Sequence, residues 1–483
     1  MIPLPIADIV QIVGGRLEDA AAGERLIGQS VVGGTVQTDS RLVTAGSIFF
    51  ALPGEVTDGH LFAQAAVDNG AALVVAERPL GLAVPTVLVS DGAVALADLA
   101  RGVVQRVRDA GKLSVIAITG SNGKTTTKNL LRAILERQAA TVAPEGSFNN
   151  HVGAPISMLR IDHSTRYLIV EMGAGKSGDI ARLVSIARPD IGVVLKVGLA
   201  HVGEFGSIDE VQRAKREMVT DLDPSAIAVL NADDDRVAEM AGSTPASVYW
   251  FGLSERANMR AEDVEATATG TAFTLVADGG NPLPVTMQIL GEHHVFNALA
   301  ALSVAKLLGI DLAQAIAALE DVPRAERWRM EVLRAPSGAI IINDAYNASP
   351  DSMAAALKTL AQVRGPENRS VAVLGEMAEL GEYADEEHDR IGRLAVRLNV
   401  QKLVVVGHGA RHIHNAAGLE GSWDGESVYV PTMQEAYDLL RDDVRAGDIV
   451  LVKSSKSANL RFLGDRLGGV PEDTSHGDGV KAW

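Results

Sequence analysis

The residues best suited to do chemistry lie in a short loop, Gly120-Ser-Asn-Gly-Lys-Thr-Thr126. An apolar, β-branched run precedes it (Leu113 to Ile118) and a helix-forming run follows it (Leu130 to Gln138), which predicts strand, loop and helix in succession. Such a loop aims backbone N–H groups and a helix N-terminus at one point. Lys124 can then reach the β and γ phosphates of a nucleotide, and the Thr125 hydroxyl can bind their Mg²⁺. The common pattern G-x-x-x-x-G-K-[ST] lacks its first glycine here, but the loop still predicts a nucleotide phosphate site.

Three further side chains could serve the same site. Glu171 ends a predicted strand, Tyr167 to Glu171, and would point into the crevice at the carboxyl ends of the strands, where a carboxylate can hold Mg²⁺. His201 lies in a glycine-rich loop, and Lys215 lies on the helix that follows. A loop histidine is more often a surface residue, and a helix lysine is more often solvated. Of these three side chains, the sequence pattern by itself therefore favours a metal-binding role for Glu171 but not for His201 or Lys215.

The composition sets limits on the class of protein. A chain of 483 residues is expected to form about three domains of roughly 100 to 200 residues each. Its net charge of −17 argues against nucleic acid or an anionic membrane as partner, and the absence of cysteine excludes disulfides, thiolate catalysis and cysteine-ligated zinc. The first residues do not resemble a signal peptide, and no apolar run approaches the roughly 18 residues needed to span a bilayer. We therefore expect a cytoplasmic protein without membrane insertion.

The order of the predicted elements indicates an α/β protein of three domains. Residues 1–110 are predicted to form a small N-terminal α/β domain, and residues 111–322 a central P-loop domain with a mainly parallel sheet. Within the latter, residues 243–290 favour antiparallel strands. Residues 323–470 are predicted to form a C-terminal Rossmann-like, doubly wound domain. The polar, glycine-rich residues 471–483 are predicted to be disordered.

Taken in order, these motifs resemble the Mur ligase family over nearly the whole chain. The phosphate loop, Glu171, His201 and Lys215 match that family, as does the segment Gly291-Glu-His-His-Val-Phe-Asn297. Three more segments are similar to the family member that adds a dipeptide. They are Asn149-Asn-His-Val-Gly-Ala-Pro155, Asp344-Ala-Tyr-Asn-Ala-Ser-Pro-Asp-Ser-Met353, and Leu374-Gly-Glu-Met-Ala-Glu-Leu-Gly-Glu382 with His388.

The resemblance implies an activity and a set of ligands. The activity is an ATP-dependent, ADP-forming ligation of D-alanyl-D-alanine to UDP-N-acetylmuramoyl-tripeptide through an acyl phosphate, which makes the pentapeptide precursor of peptidoglycan. The central domain would be the P-loop ATPase domain, and ATP the co-substrate. The resemblance also implies a pair of Mg²⁺ ions. Thr125 and Glu171 would bind the first, and His201 would bind the second together with Lys215, if that lysine is carbamylated.

The resemblance further assigns contacts to individual residues. Ser40 and Arg41 would receive the uridine nucleotide, Asn149 and Asn150 the muramoyl tripeptide, and Tyr346 and Asn347 the dipeptide. The implied catalytic residues are Lys124, Glu171, His201 and Lys215. The implied ATP contacts are Gly120, Ser121, Asn122, Gly123, Lys124, Thr125, Thr126, Asn297, Arg329 and Asp344.

Some positions depart from the family pattern. Lys196 stands where the family more often has asparagine, Ser349 replaces a common asparagine, and Val452-Lys-Ser-Ser-Lys456 differs from a V-K-G-S-R-like ending. One alternative is a sister ligase that adds a single amino acid, because it would share the phosphate loop and metal positions. Another is a P-loop nucleotide switch, which would need an N-K-x-D guanine motif that the sequence lacks. We expect a monomer, since no pattern indicates otherwise.

Overall fold

The computed structural model describes residues 1–18, 29–54, 57–267, 269–324, 326–421 and 423–471. Their strands form three large sheets, and a small two-stranded sheet lies near the N-terminus. The three-domain α/β architecture is thereby confirmed. The tail predicted to be disordered, residues 471–483, falls outside the described residues except for residue 471.

The N-terminal domain is built on a five-stranded sheet. Its elements are β1 (Leu4–Pro5), α1 (Ile6–Ile12), β2 (Arg16–Leu17), β3 (Val31–Val32), β4 (Val36–Gln37), β5 (Ile48–Phe50), α2 (Ala63–Asp68), β6 (Leu73–Ala76), β7 (Thr86–Leu88) and α3 (Gly92–Ala110). The strand order is β2-β7-β6-β5-β4, and only β2 runs antiparallel to its neighbour. Every residue of β5 and β6 is buried, as expected for parallel strands that are covered on both faces.

The central domain carries a nine-stranded sheet. Its elements are β8 (Ser114–Thr119), α4 (Lys124–Glu136), β9 (Thr141–Val142), α5 (Gly153–Met158), β10 (Tyr167–Glu171), α6 (Asp179–Ala187), β11 (Ile191–Val194), α7 (Val202–Phe205), α8 (Ile208–Thr220), β12 (Ile227–Asn231), α9 (Asp235–Ala238), β13 (Ser247–Gly252), β14 (Met259–Thr267), β15 (Gly270–Ala277), β16 (Leu283–Met287), α10 (His293–Leu307) and α11 (Leu312–Glu320). The order is β16-β15-β14-β13-β12-β11-β8-β10-β9. The antiparallel pairing predicted for residues 243–290 is confirmed for β14 with β15 and for β15 with β16, but it is wrong for β13, which pairs in parallel with β12 and with β14.

Two layers of helices cover the central sheet. Apolar residues of α4, α10 and α11 pack on one face, and those of α5, α6 and α8 pack on the other together with α3 of the N-terminal domain. Helix α4 begins at Lys124, well before the predicted start at Leu130, so that prediction is wrong. The first turn holds three threonines, whose β-branching conceals a helix start in the sequence. Gly123, with a φ of +87°, turns the chain into this helix.

The C-terminal domain is a six-stranded sheet flanked by helices. Its elements are β17 (Glu331–Arg334), β18 (Ile340–Asn343), α12 (Pro350–Val363), β19 (Ser370–Leu374), α13 (Ala384–Arg397), β20 (Lys402–Val406), α14 (Arg411–Leu419), β21 (Glu426–Val430), α15 (Met433–Leu440), β22 (Ile449–Lys453) and α16 (Leu460–Leu467). The order is β17-β18-β22-β19-β20-β21, and all neighbours are parallel except β17 and β18. Strand β17 was not predicted from the sequence, because it is a short and partly exposed edge strand.

This topology brings chemistry to one edge of the central sheet. Strand β8 pairs in parallel with β10 and with β11, so the loops that follow these three strands leave the sheet side by side. The first is the phosphate loop, the second begins at Glu171, and the third leads to His201. None of the helices in the described part of the chain is both long and apolar enough to cross a membrane.

Candidate active site

A cleft of about 530 Å³ lies at this edge, with walls from the central and C-terminal domains. Its volume is in the range of small-molecule sites, roughly 300 to 1,000 Å³. The structure brings most of the residues singled out in the sequence to this cleft. Those lining it are Ser121, Asn122, Gly123, Lys124, Thr125, Thr126, Asn149, Asn150, Glu171, His201, Lys215, Asn297, Arg329, Asp344, Tyr346 and Asn347.

Contacts within the protein hold the phosphate loop in shape. A Cβ atom at Gly123 would lie 2.3 Å from the Asn297 side-chain oxygen, so this position has no room for a side chain. Gly120, also at positive φ, precedes Ser121, whose N–H donates to the Lys196 carbonyl at 2.8 Å. Lys124 Nζ donates to the Gly120 carbonyl at 2.7 Å. Burial lowers the pKa of Lys124, so a polyphosphate that replaced this carbonyl would favour its charged form.

A buried carboxylate faces the first turn of α4. Glu171 is 1% exposed at the end of β10, and the Thr125 hydroxyl lies 3.2 Å from its Oε2. The Asn149 amide donates to Oε1 at 2.8 Å. Mg²⁺ prefers hard oxygen ligands such as hydroxyl, carboxylate and phosphate oxygens. The oxygen atoms of Thr125 and Glu171 therefore fit a magnesium ion shared with a bound polyphosphate.

Lys215 is a buried lysine that lines the cleft. It is 3% exposed on α8, which contradicts the interpretation of a solvated helix lysine. Burial, followed by repulsion from Lys124, lowers its pKa to about 7. Glu217 and Asp179 act in the opposite direction but do not outweigh the burial. A large share of the Lys215 amine is therefore uncharged near neutral pH, and an uncharged amine is a nucleophile.

His201 joins the central domain to the C-terminal domain. Its backbone has a φ of +62°, directly before α7, and its Nδ1 lies 2.5 Å from Oε2 of Glu379. Glu204 is farther away, with Oε2 at 3.9 Å from the same nitrogen. The ring is therefore engaged by a residue from another domain, which contradicts the interpretation of an ordinary surface histidine.

Asn297 braces the phosphate loop from the side of α10. Its Oδ1 accepts a hydrogen bond from the Thr127 hydroxyl at 3.3 Å, and its amide nitrogen lies 3.1 Å from Nδ1 of His294. Burial is the main cause that lowers the pKa of His294, so this ring is uncharged. Its Nδ1 consequently accepts from the amide.

Two cleft residues of the C-terminal side meet one serine of the central domain. The Arg329 guanidinium carbon lies 4.2 Å from the centre of the Tyr346 ring, which is a cation–π contact. The Tyr346 hydroxyl donates to Ser147 Oγ at 3.2 Å, and Arg329 Nη2 reaches the same atom at 3.5 Å. Ser147 was not singled out in the sequence, and a serine in a loop gives no pattern that could reveal it.

Asp344 and Asn347 are anchored by one buried lysine. Lys453, only 2% exposed at the end of β22, donates from Nζ to Asp344 Oδ2 at 2.6 Å and to the Asn347 carbonyl at 3.0 Å. The second Asp344 oxygen accepts from the Met330 N–H at 3.0 Å. In this arrangement Asp344 orients the cleft wall. Lys453 belongs to the segment that departs from the family pattern, and the sequence reasoning gave it no role.

Asn150 has a structural task as well as its place in the cleft. Its Oδ1 accepts from the N–H groups of Val152 and Gly153, at 3.2 and 2.8 Å, at the start of α5.

Lys128 was not singled out in the sequence, although it lies one turn after Lys124 on α4. It is buried, and its Nζ donates to the carbonyls of residues 144 and 146 at 2.8 Å each, which ties α4 to the loop before Asn149.

Ser40 and Arg41 are not among the residues that line this cleft. They form a short 3₁₀ helix with Leu42 in the N-terminal domain. Arg41 pairs with Asp39 at 2.6 Å, and the Ser40 carbonyl accepts from the Asn69 amide at 2.9 Å. The cleft assembled by the other candidates therefore does not include this pair.

Two departures from the family pattern turn out to be contacts between domains. Lys196, in the central domain, pairs with Asp351 at 3.3 Å. Ser349 begins α12 as its capping residue, and its hydroxyl also lies 3.2 Å from the Asn122 side-chain oxygen in the phosphate loop. Both contacts fasten the N-terminus of α12 beside the phosphate loop.

Comparison with known proteins agrees with this geometry. Family models match all three domains: residues 34–108 match "Mur ligase family, catalytic domain", residues 118–305 match "Mur ligase middle domain", and residues 328–456 match "Mur ligase, glutamate ligase domain". One curated relative is the UDP-N-acetylmuramoyl-tripeptide--D-alanyl-D-alanine ligase of Mycobacterium tuberculosis H37Rv. It is 44% identical over 510 residues, which cover 98% of this chain and 99% of the relative.

Solved structures of similar fold are also Mur ligases. MurF from Acinetobacter baumannii superposes with a TM-score of 0.86 at 30% identity, covering 97% of this chain and 99% of that one. MurF from Thermotoga maritima in complex with ADP has a TM-score of 0.79 at 28% identity, covering 91% and 98%. The resemblance inferred from the motifs is confirmed, and the chain belongs to the Mur ligase family.

Proposed function

We propose that this chain joins D-alanyl-D-alanine to UDP-N-acetylmuramoyl-tripeptide, with ATP converted to ADP and phosphate. The observation that carries the proposal is the pairing of a phosphate loop with the buried carboxylate Glu171 in a cleft between two domains. The names of the relatives support the choice of substrates. The product is the pentapeptide precursor of peptidoglycan.

The chemistry follows from what a carboxylate lacks. It does not condense with an amine at neutral pH because oxide is a poor leaving group. In the proposed reaction the terminal carboxylate of the tripeptide attacks the γ-phosphoryl group of ATP, which gives an acyl phosphate and ADP. The amine of the dipeptide then attacks the acyl carbon, and phosphate leaves. No protein nucleophile takes part, so the protein contributes positioning and charge.

Individual residues have defined tasks in this scheme. Lys124 and the N–H groups of the phosphate loop hold the phosphates and offset the negative charge that develops on them. Asn297, Arg329 and Asp344 contact the nucleotide, the last two from the C-terminal domain. Tyr346 and Asn347 line the dipeptide side of the cleft.

Magnesium is proposed as the metal, with separate residues for each of two ions. Thr125 and Glu171 would hold one ion, and His201 would hold the other with Lys215 as its carbamate. When bound, the ions draw charge from the phosphoryl oxygens and orient them. The low pKa of Lys215 supports the carbamate, because an uncharged amine can add carbon dioxide and become an anionic oxygen ligand.

The remaining assignments complete the proposal. Ser40 and Arg41 would receive the uridine nucleotide at the far end of a long substrate, which is compatible with their place outside the cleft. Asn149 and Asn150 would contact the muramoyl tripeptide. We place the domains at residues 1–110, 111–322 and 323–470, and propose a monomer that works in the cytoplasm, where ATP is available.

Phosphate release tests the proposal. The protein is incubated with ATP, Mg²⁺, UDP-N-acetylmuramoyl-tripeptide and D-alanyl-D-alanine, and each component is omitted in turn. We expect release only with the full set. Release with a single amino acid and a shorter UDP-muramoyl peptide would instead indicate a sister ligase, and no release with any set would contradict the proposed reaction.

A further inference from the structure

We propose that Glu379 of the C-terminal domain is a positioning residue for His201, and that it fixes the imidazole only while the two domains are docked. The inference rests on the proposed function, in which His201 holds a divalent cation. It adds a residue from a second domain to that site, so that the cation site is completed by domain docking.

The side-chain contact determines which ring nitrogen is free. Nδ1 of His201 lies 2.5 Å from Oε2 of Glu379, so the ring and the carboxylate share a hydrogen bond. An ionised carboxylate only accepts hydrogen bonds, so Nδ1 carries the proton. In the uncharged ring Nε2 is then the nitrogen with a lone pair, which is the form that binds a metal. A carboxylate on the opposite nitrogen also fixes the ring and raises its basicity as a ligand.

Backbone contacts hold the same two segments together. The Gly203 N–H donates to the Glu379 carbonyl at 2.9 Å. A Cβ atom at Gly203 would lie 2.6 Å from the Gly381 nitrogen, so any side chain there would push the segments apart. His201 and Glu379 both have positive φ, at 62° and 64°, which is a costly conformation for residues other than glycine. The docked arrangement keeps both side chains facing each other.

The C-terminal domain carries Glu379 on a firmly anchored loop. His388, buried on α13, accepts a hydrogen bond from the Met377 N–H at 2.9 Å. The Ala378 N–H donates to Ser455 Oγ at 2.8 Å. These bonds lie immediately before Glu379, so the carboxylate moves with its domain. Separating the domains would therefore remove it from His201.

The test measures metal binding and turnover in the full-length protein. Mn²⁺ replaces Mg²⁺, and bound ions are counted by electron paramagnetic resonance in the presence of β,γ-methylene-ATP. We expect two ions on the wild-type protein. In Glu379→Ala, one ion should bind about 10- to 100-fold more weakly, and the other should bind as tightly as in the wild type. The value of kcat should fall by a similar factor, with little change in the KM for ATP. Glu379→Gln, which keeps a hydrogen-bond acceptor, should lie between the two.

Controls separate positioning from general damage. Glu382→Gln removes an exposed charge from the short 3₁₀ helix that follows Glu379 and should behave as the wild type. Gly203→Ala keeps the glutamate at position 379 but pushes its segment away from His201. This variant should therefore bind the same ion more weakly. In a His201→Asn background Glu379→Ala should have no further effect, because it acts through the histidine.

Three results would overturn the proposal. One is a Glu379→Ala protein that binds both ions as tightly as the wild type. Another is an equal loss of kcat on Glu379→Ala in the His201→Asn background. A wild-type protein that binds a single Mn²⁺ would contradict the two-ion scheme of the proposed function itself, and the inference would fail with it.

Discussion

The two walls of the cleft are held in place by different kinds of contact. The phosphate wall, which comprises residues 120–126, Glu171 and Lys215, is organised within the central domain by strand ends and one helix start. The docking wall, which comprises Arg329, Asp344, Tyr346, Asn347 and Glu379, reaches the central domain through Ser147 and His201. In the proposed function the first wall binds the phosphates by itself, whereas the second contributes only when the domains meet.

Because the two walls are organised differently, substitutions in them should cause different defects. Damage to the phosphate wall should abolish turnover without loosening the domains. Damage to the docking wall should change stability, acid sensitivity or substrate affinity, except at Glu379, where it should weaken the binding of one metal ion and lower kcat. Four substitutions test this distinction, and their expected effects decrease from Lys124→Ala to Lys196→Ala.

Lys124→Ala should produce the largest effect. It removes the cation of the phosphate wall, and we expect kcat to fall by about a thousandfold or more, because the charge on the transferred phosphoryl group is no longer offset. The fold should persist, since among the described residues the Lys124 side chain is hydrogen-bonded to a carbonyl four residues away and to no other group. Phosphate release and circular dichroism on the same sample measure both. Near-normal turnover in a folded variant would remove the phosphate loop from the mechanism.

Lys453→Met should cause the largest loss of stability. It leaves Asp344 without the ammonium group that lies 2.6 Å away, and breaking a buried pair of this kind costs about 3–5 kcal/mol of unfolding free energy. Lys402→Met is the matched control, because Lys402 also lies at a strand end but pairs with the more exposed Glu426 and Asp443. Denaturant unfolding of both variants measures the contrast. Equal losses of unfolding free energy in the two variants would mean that the burial of the Lys453–Asp344 pair does not make it more important for stability than an exposed pair.

Sequence alone predicted the phosphate wall better than the docking wall. The glycines, Lys124 and Thr125 form a local pattern, and Glu171 lies at the end of a predicted strand. The phosphate loop and Glu171 could therefore be located without a structure. The sequence could not show that Lys215 is buried, because burial depends on what packs against α8. The contact of Arg329 with Ser147 joins residues 182 apart, and no local pattern encodes it. Glu379 was visible only as part of a segment, without a role.

Acid should weaken the docking wall through His388. Burial is the main cause that lowers its pKa below the usual 6.5. The unfolded chain therefore binds the proton more readily than the folded one, and stability should fall as the pH drops below about 6.5 toward the folded pKa, by at most about 1.4 kcal/mol per pH unit. His388→Gln should flatten this part of the profile. Unfolding free energies measured from pH 7 to pH 5 provide the test, and superimposable profiles would contradict it.

The smallest effect is expected for Lys196→Ala. The pair with Asp351 crosses between the domains but is part-exposed, with side-chain exposures of 45% and 32%. Pairs in water contribute little, so we expect the KM for ATP to rise by no more than about threefold at low salt and to match the wild type in high salt. A tenfold rise that persists in high salt would show that Lys196 contacts substrate instead of fastening the domains.

The fate of the carboxylate oxygens tests the proposed reaction directly, with UDP-N-acetylmuramoyl-tripeptide that carries ¹⁸O in both oxygens of its terminal carboxylate. The label is followed by mass spectrometry after reaction with ATP and D-alanyl-D-alanine. Attack of the carboxylate on the γ-phosphoryl group predicts one ¹⁸O atom in the released phosphate and a product heavier by the dipeptide less water. Phosphate without the label would show that the carboxylate is not activated at the phosphate loop, and would contradict the mechanism.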